Sequence, residues 1–301
     1  MEEYRTPEAF RQALKARVKR RARESGRGFN RMLQIVLFER FLARVYDALG
    51  EAAVVKGGFA MELRLKRART TKDVDLRVEG DLDELLDKLR EESARQRDDY
   101  LTYEIGDEAD FKEMLGDQLV YGGRRLRVQA MLAGQPFGGP FRLDVSLADE
   151  MGVPPEQVRG TDLFEFVGIE PLDHWVYPKE IHVAEKLHAL TLDYESGPSS
   201  RAKDLIDIGL LAGHYRFQAR SLRESLESTF EFRDTHELPA AVPEPPDFWG
   251  ELYRDMRFED ELVWDDVDEL GQFARRFLNP VLEMSIADEH EWEPTAGTWS
   301  T

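Results

Sequence analysis

The stretch from Val54 to Val78, VVKGGFAMELRLKRARTTKDVDLRV, constrains the fold more than any other part of the chain. Val54-Val55 is a short β-branched run, and Val74, Leu76 and Val78 alternate with Asp73, Asp75 and Arg77. The spacing predicts a strand, a turn at Gly57-Gly58, a helix over FAMELRL and a second strand with one apolar and one polar face. Residues two apart on a strand project from the same side, roughly 7 Å apart at Cα. Asp73 and Asp75 can therefore share one Mg²⁺ or hold two. Magnesium takes hard oxygen ligands and commonly keeps substrate phosphates in its shell. A glycine pair between strand and helix lets backbone N–H groups approach a triphosphate. Lys56 adds a charge just before the pair, and Thr70 or Thr71 could add a hydroxyl. Taken singly, Gly-Gly also suits an ordinary turn, and Asp-x-Asp a solvated strand face.

A second segment repeats the logic. In FRLDVSL, Leu143, Val145 and Leu147 point one way and Asp144 the other. Were this strand to lie beside the first, Asp144 would complete a cluster of three carboxylates. Two metals there could polarise an α-phosphate, activate an attacking hydroxyl and stabilise a leaving pyrophosphate.

The remainder reads as an α/β half followed by a helical half. Thr6-Pro7-Glu8 is a helix start, with Thr6 as cap and Pro7 in the first turn. A second helix is expected over Phe29–Leu49, ending at Gly50, and another after Asp81. Further strands are expected at Tyr103–Ile105, Arg124–Ala133, Phe141–Leu147 and Leu163–Ile169. Helices are expected at Ile181–Leu192, Ala202–Leu211, Ser221–Phe230, Pro246–Met256 and Asp265–Met284, with loops at DYESGPSS and LPAAVPEPPD between them. The acidic tail after Ile286 is expected to fray. The division is 1–50 for N-terminal helices carrying a basic segment, 51–175 for the α/β core and 176–301 for a helical domain.

With 301 residues the chain has ample length to bury a core. No apolar stretch approaches a membrane span and no secretory pattern opens the chain, so a cytoplasmic location is expected. The net charge of −19 argues against a general nucleic-acid binder. That charge is uneven: residues 1–31 carry ten bases against four acids, a net of +6 that leaves −25 for the rest. The run Arg11–Arg31 is either the wet face of a helix or an arm for an RNA backbone. His182 and His188 flank Glu185, but six residues apart on a helix they lie about 240° apart around the axis, which argues against a shared zinc ion.

The segment from Val54 to Val78 resembles the first motif of the AbiEii/AbiGii-type nucleotidyltransferase toxins, a branch of the polymerase-β-like nucleotidyltransferase superfamily. There a lysine and two small residues precede a helix, and Arg-Ser/Thr-x-Asp-x-Asp follows; Arg69, Thr70, Thr71, Lys72, Asp73, Val74 and Asp75 fit it. FRLDVSL and IHVAEKLHALT…RAKDLIDIGLL are similar to later motifs of that family, and the likeness runs over roughly residues 30–285. The resemblance implies a mixed-sheet nucleotidyltransferase core followed by a helical domain. It implies Mg²⁺ on Asp73 and Asp75, with Asp144 as a third ligand. It also implies triphosphate contacts from Lys56, Gly57, Gly58 and Thr71, Lys186 reaching toward the phosphates, and Asp204 orienting Lys186 or helping to activate the acceptor. Glu185, Arg201, Lys203 and Asp207 stay outside that site, as ordinary exposed helix charges.

The implied activity is transfer of a nucleoside monophosphate from an NTP to a hydroxyl, with the 3′ end of tRNA as acceptor and a cognate antitoxin as partner. The acidic surface suits a protein or small-molecule acceptor equally well, and a nucleotide-binding protein without catalysis is a third reading.

Overall fold

The computed structural model describes residues 6–65, 71–115, 118–147, 153–192, 201–260 and 262–301, with side chains for all of these except 109–115, 118–122 and 258–260. Arg69, Thr70 and the loop expected at 193–200 lie outside the described residues. The chain divides into two compact units. One comprises Met1–Leu63, Thr70–Glu113 and Tyr121–Val176; the other comprises Arg64–Arg69, Met114–Val120 and Tyr177–Thr301.

The first unit begins with helix α1 (Pro7–Glu24), whose Thr6 hydroxyl accepts from the Ala9 N–H at 3.2 Å. Phe10, Leu14, Val18 and Ala22 recur every four residues and are buried, leaving the cations on the other faces. Helix α2 (Phe29–Leu49) follows and packs on α1. Then come β1 (Ala53–Lys56), α3 (Gly57–Leu65), β2 (Asp73–Val78) and α4 (Leu82–Ala94), the last capped by Asp81. The neighbouring strands β3 (Leu101–Leu115) and β4 (Gln118–Leu132), the short β5 (Gln135–Pro136), β6 (Phe141–Leu147), β7 (Glu156–Arg159) and β8 (Asp173–Val176) complete a mixed sheet. Its order is β3-β4-β6-β2-β1-β8-β7, with β5 beside β4; β2 runs parallel to β6, and β1 runs antiparallel to β2 but parallel to β8. One face of the central strands, carrying Val74, Leu76, Val78, Leu143 and Val145, joins α1, α2 and α3 in a single core.

One expected strand is absent. Leu163–Ile169 forms a single 3-10 turn at Glu165–Val167, closed by Gly168 at φ +79°. Its aromatic residues bury against α1 instead of joining the sheet, with Phe166 stacked on Phe10 at 5.8 Å and Phe164 at 6.3 Å. A left-handed glycine next to them ends any extended run.

The second unit holds helices α5 (Lys179–Thr191), α6 (Ala202–His214), α7 (Ala219–Arg233), α8 (Trp249–Asp260) and α9 (Val267–Leu282). The expected fraying of the acidic tail is wrong. Strands β10 (Glu291–Glu293) and β11 (Thr298–Ser300) pair, and β10 also pairs with β9 (Phe217–Gln218). Trp292 is wholly buried and donates its Nε1–H to the Ala212 carbonyl at 2.7 Å; Trp299 donates to the Phe277 carbonyl at 2.9 Å. Glu291 and Glu293 pair with Arg216 and Asp288 with Arg223 while the indoles anchor the segment, and average charge hides that arrangement. No described helix is long and apolar enough to cross a membrane.

Candidate active site

In-register partners on a pleated sheet point to the same face. Along the β2–β6 pair, Asp73 stands level with Arg142 and Asp75 level with Asp144, while on the other side of β2 Asp75 faces Lys56 of β1. Asp73, Asp75 and Asp144 thus share the face opposite the core, each of them partly buried. Burial pushes the Asp73 carboxyl above its ordinary range; the Arg142 charge draws it back, and the nearby Asp144 charge pushes it further up. Asp144 is itself clamped by Arg125 of β4, whose Nε and Nη2 donate to its two oxygens at 2.8 and 2.6 Å, and that pairing raises the Arg125 pKa.

The glycines lie against this face. Gly57 opens α3 directly, at φ +63°, and a Cβ there would stand 2.1 Å from Asp75 Oδ2. A Cβ on Gly58 would stand 2.8 Å from Thr71 Oγ1. No side chain fits at either position without moving its neighbour, so backbone and carboxylate approach as closely as they can. Thr71 is buried, its hydroxyl donating to the Asp73 carbonyl at 3.3 Å. The strand–Gly-Gly–helix–Asp-x-Asp order read from the sequence is thereby one contiguous surface.

Asp73 and Asp75 carry oxygen donors of the kind magnesium takes, and a cation held there would offset the burial and the Asp144 charge that raise Asp73. Among the described residues no three Asp, Glu or His side chains converge into a cage for a metal ion. Two carboxylates on one strand face are the donor set of a magnesium ion that keeps substrate phosphates in its shell. Asp144 could join that shell only by loosening its pair with Arg125.

In the second unit, Lys186 of α5 donates to Asp204 Oδ1 at 2.8 Å and lies 3.0 Å from Asp207 Oδ2. Asp204 and Asp207 are 5% and 0% exposed, so the expectation of an ordinary exposed helix charge fails for Asp207. Arg201 adds a contact to Asp204 Oδ2 at 3.3 Å, and Glu185 pairs with the buried Arg233 at 2.9 Å. Sequence reasoning misses Asp207, yet a signal is present. It sits between Ile206 and Ile208 on an almost wholly apolar helix, three residues after Asp204 and hence on the same face. A charge buried there requires a partner.

A model of the nucleotidyl transferase AbiEii toxin family of type IV toxin–antitoxin systems matches residues 40–277. Among solved structures, the nucleotidyltransferase toxin MenT4 of Mycobacterium tuberculosis H37Rv is similar at a TM-score of 0.59 and 20% identity, over 91% of each chain. JHP933 of Helicobacter pylori is similar at a TM-score of 0.46 and 15% identity, over 84% of this chain and 93% of that one. A search of curated proteins finds no match. The family match covers well over half the sequence, and the chain belongs to the AbiEii nucleotidyltransferase toxin family.

Proposed function

We propose that this nucleotidyltransferase is a Mg²⁺-dependent toxin that moves a nucleoside monophosphate from an NTP to the 3′ end of tRNA, in the cytoplasm, stopping translation until a cognate antitoxin restrains it. The observation that carries the reading is the contact of the Gly57 backbone with Asp75, since phosphate-binding backbone and metal-binding carboxylate must lie side by side for such a reaction.

In this reading Lys56, Gly57, Gly58 and Thr71 hold the triphosphate, while Asp73 and Asp75 hold the metal and Asp144, once released from Arg125, serves as a third ligand. When bound, magnesium polarises the α-phosphate and neutralises the charge that develops on the pyrophosphate. Lys186 directs its ammonium to the phosphates, and Asp204 fixes its orientation. The buried Lys186–Asp204–Asp207 group supports that role, because two carboxylates hold one flexible ammonium in a single place.

For tRNA, support comes from the sorting of the basic segment. Arg11 donates to the Leu132 and Pro136 carbonyls, Arg17 covers Phe166 at 3.8 Å, and Arg21 pairs with Asp162. Lys15, Lys19, Arg20 and Arg23 are exposed along one face of α1, where they can neutralise phosphates.

The test supplies each α-labelled NTP with Mg²⁺ and with tRNA or protein lysate as separate acceptors. Label on tRNA that vanishes in Asp75→Ala is the expected result. Replacing Lys15, Lys19, Arg20 and Arg23 by Gln should weaken tRNA binding and flatten its salt dependence, by about 0.7 in logarithmic slope for every phosphate left without its cation. Label on protein alone, which the net charge of −19 would suit, moves the activity to protein modification.

A further inference from the structure

Arg31 lies in the first turn of α2, before the residues that the family model matches. Its Nη2 pairs with Glu62 Oε2, and its Nη1 donates both to the Thr71 carbonyl and to Gln34 Oε1, the last at 2.8 Å. Arg27, just ahead of α2, lies 3.8 Å from the other Glu62 oxygen. Glu62 is 5% exposed and sits on α3, the helix that Gly57 and Gly58 open. Thr71 is the residue whose side chain abuts Gly58, two positions before Asp73.

One guanidinium thus bridges the two limbs of the turn, the helix that begins with the glycines and the segment that leads into the Asp-x-Asp strand. We infer that Arg31 is the positioning residue of the triphosphate site, holding the Gly57-Gly58 backbone and the Thr71–Asp75 segment at the separation that nucleotide binding requires. The inference rests on the reading of those residues as the nucleotide site.

The physical case is one of tolerance and charge. Gly58 and Thr71 touch with no room for a methyl group between them, so an independent shift of either limb alters the spacing of every N–H and carboxylate in the site. Arg31 opposes such a shift with a planar fork of directional donors, which a lysine ammonium cannot reproduce at the same three acceptors. The N-terminal segment would then complete the site as well as cover the sheet.

The experiment measures the affinity for each of the four Mg²⁺-NTPs by calorimetry on the full chain, with KM and kcat for label transfer and the melting temperature, for wild type, Arg31→Lys, Arg31→Met and Gly58→Val. If wild type binds none of the four, the nucleotide-site reading itself fails. If wild type binds and Gly58→Val does not, the site stands and Arg31 is under test. The expected result is at least a tenfold rise in both Kd and KM for Arg31→Lys, which keeps the charge and lets the protein fold, and a larger rise for Arg31→Met. Unchanged affinity in folded Arg31→Lys, with only a lower melting temperature, would mean that Arg31 is a packing residue and would overturn the inference.

Discussion

Gly57 has a positive φ and a carboxylate oxygen where a methyl group would go, and these two constraints can be separated. Gly26 shares the positive φ, at +69°, but has open space around its Cβ position. Gly26→Ala should therefore cost about 1 kcal/mol of stability from the backbone alone and leave transfer unchanged. Gly57→Ala bears a similar backbone cost and must also displace Asp75; label transfer should fall at least a hundredfold with the fold intact by circular dichroism. Equal activities in the two variants would show that the Asp75 oxygen at the Cβ position of Gly57 has no functional weight. At this scale the sequence was legible where placement follows from spacing, as it does for Asp73 and Asp75 on one strand face. It was not legible at Arg31, which looks like any base in a basic run until Thr71 and Glu62 are brought to it.

Elements followed their patterns where periodicity was long. Helix α1 has its cap and its four-residue apolar repeat, and α9 is capped by Asp266, which accepts from the Glu269 N–H at 2.8 Å. Short segments were harder. The β10–β11 hairpin consists of three-residue strands in an acidic tail, and it is ordered by two indoles that reach carbonyls on α6 and α9. Trp292→Ala should lower the stability of the second unit by about 3–5 kcal/mol through the cavity it leaves, read as a fall in that unit's melting transition. Glu293→Gln, on the same strand and only partly buried, should shift it little. A melting curve unmoved by Trp292→Ala would restore the frayed tail.

Across the molecule, buried titratable groups set the response to pH. Burial lowers the imidazoles of His174, His182 and His188 to about 4, about 4 and about 3. Each binds a proton more readily once unfolded, so its contribution is complete above about pH 6.5 and declines as pH falls toward 4. Burial raises Glu39, which sits 3.9 Å from His174 and accepts from Thr161, to about 7. Its sign is opposite: the unfolded chain releases that proton near pH 4.5, so this contribution is complete below 4.5 and is lost as pH rises through 7. Glu39 and His174 lie in the first unit, His182 and His188 in the second. Acidification from pH 6.5 to 4.5 should therefore destabilise the second unit more steeply, by about 1.4 kcal/mol per pH unit for each histidine. Calorimetric scans across that range, with His182→Leu flattening the second transition, would check it; a steeper loss in the first unit would contradict the assignment.

By itself, the sequence determined the strand–glycine–helix–strand path, the alternation that puts Asp73 and Asp75 on one face, and the long amphipathic helices, because each depends on spacing along a single segment. It carried enough of these in order to mark the family. Only the tertiary structure decided which strands are neighbours. The β2–β6 register set Asp144 level with Asp75, and Arg125 of a third strand then took hold of Asp144. The same holds for the pairing of Lys186 with Asp207, for the anchoring of Trp292 and for the bridge of Arg31 across the turn. Each joins residues distant in sequence, where the energy lies in desolvated contacts that no local pattern encodes.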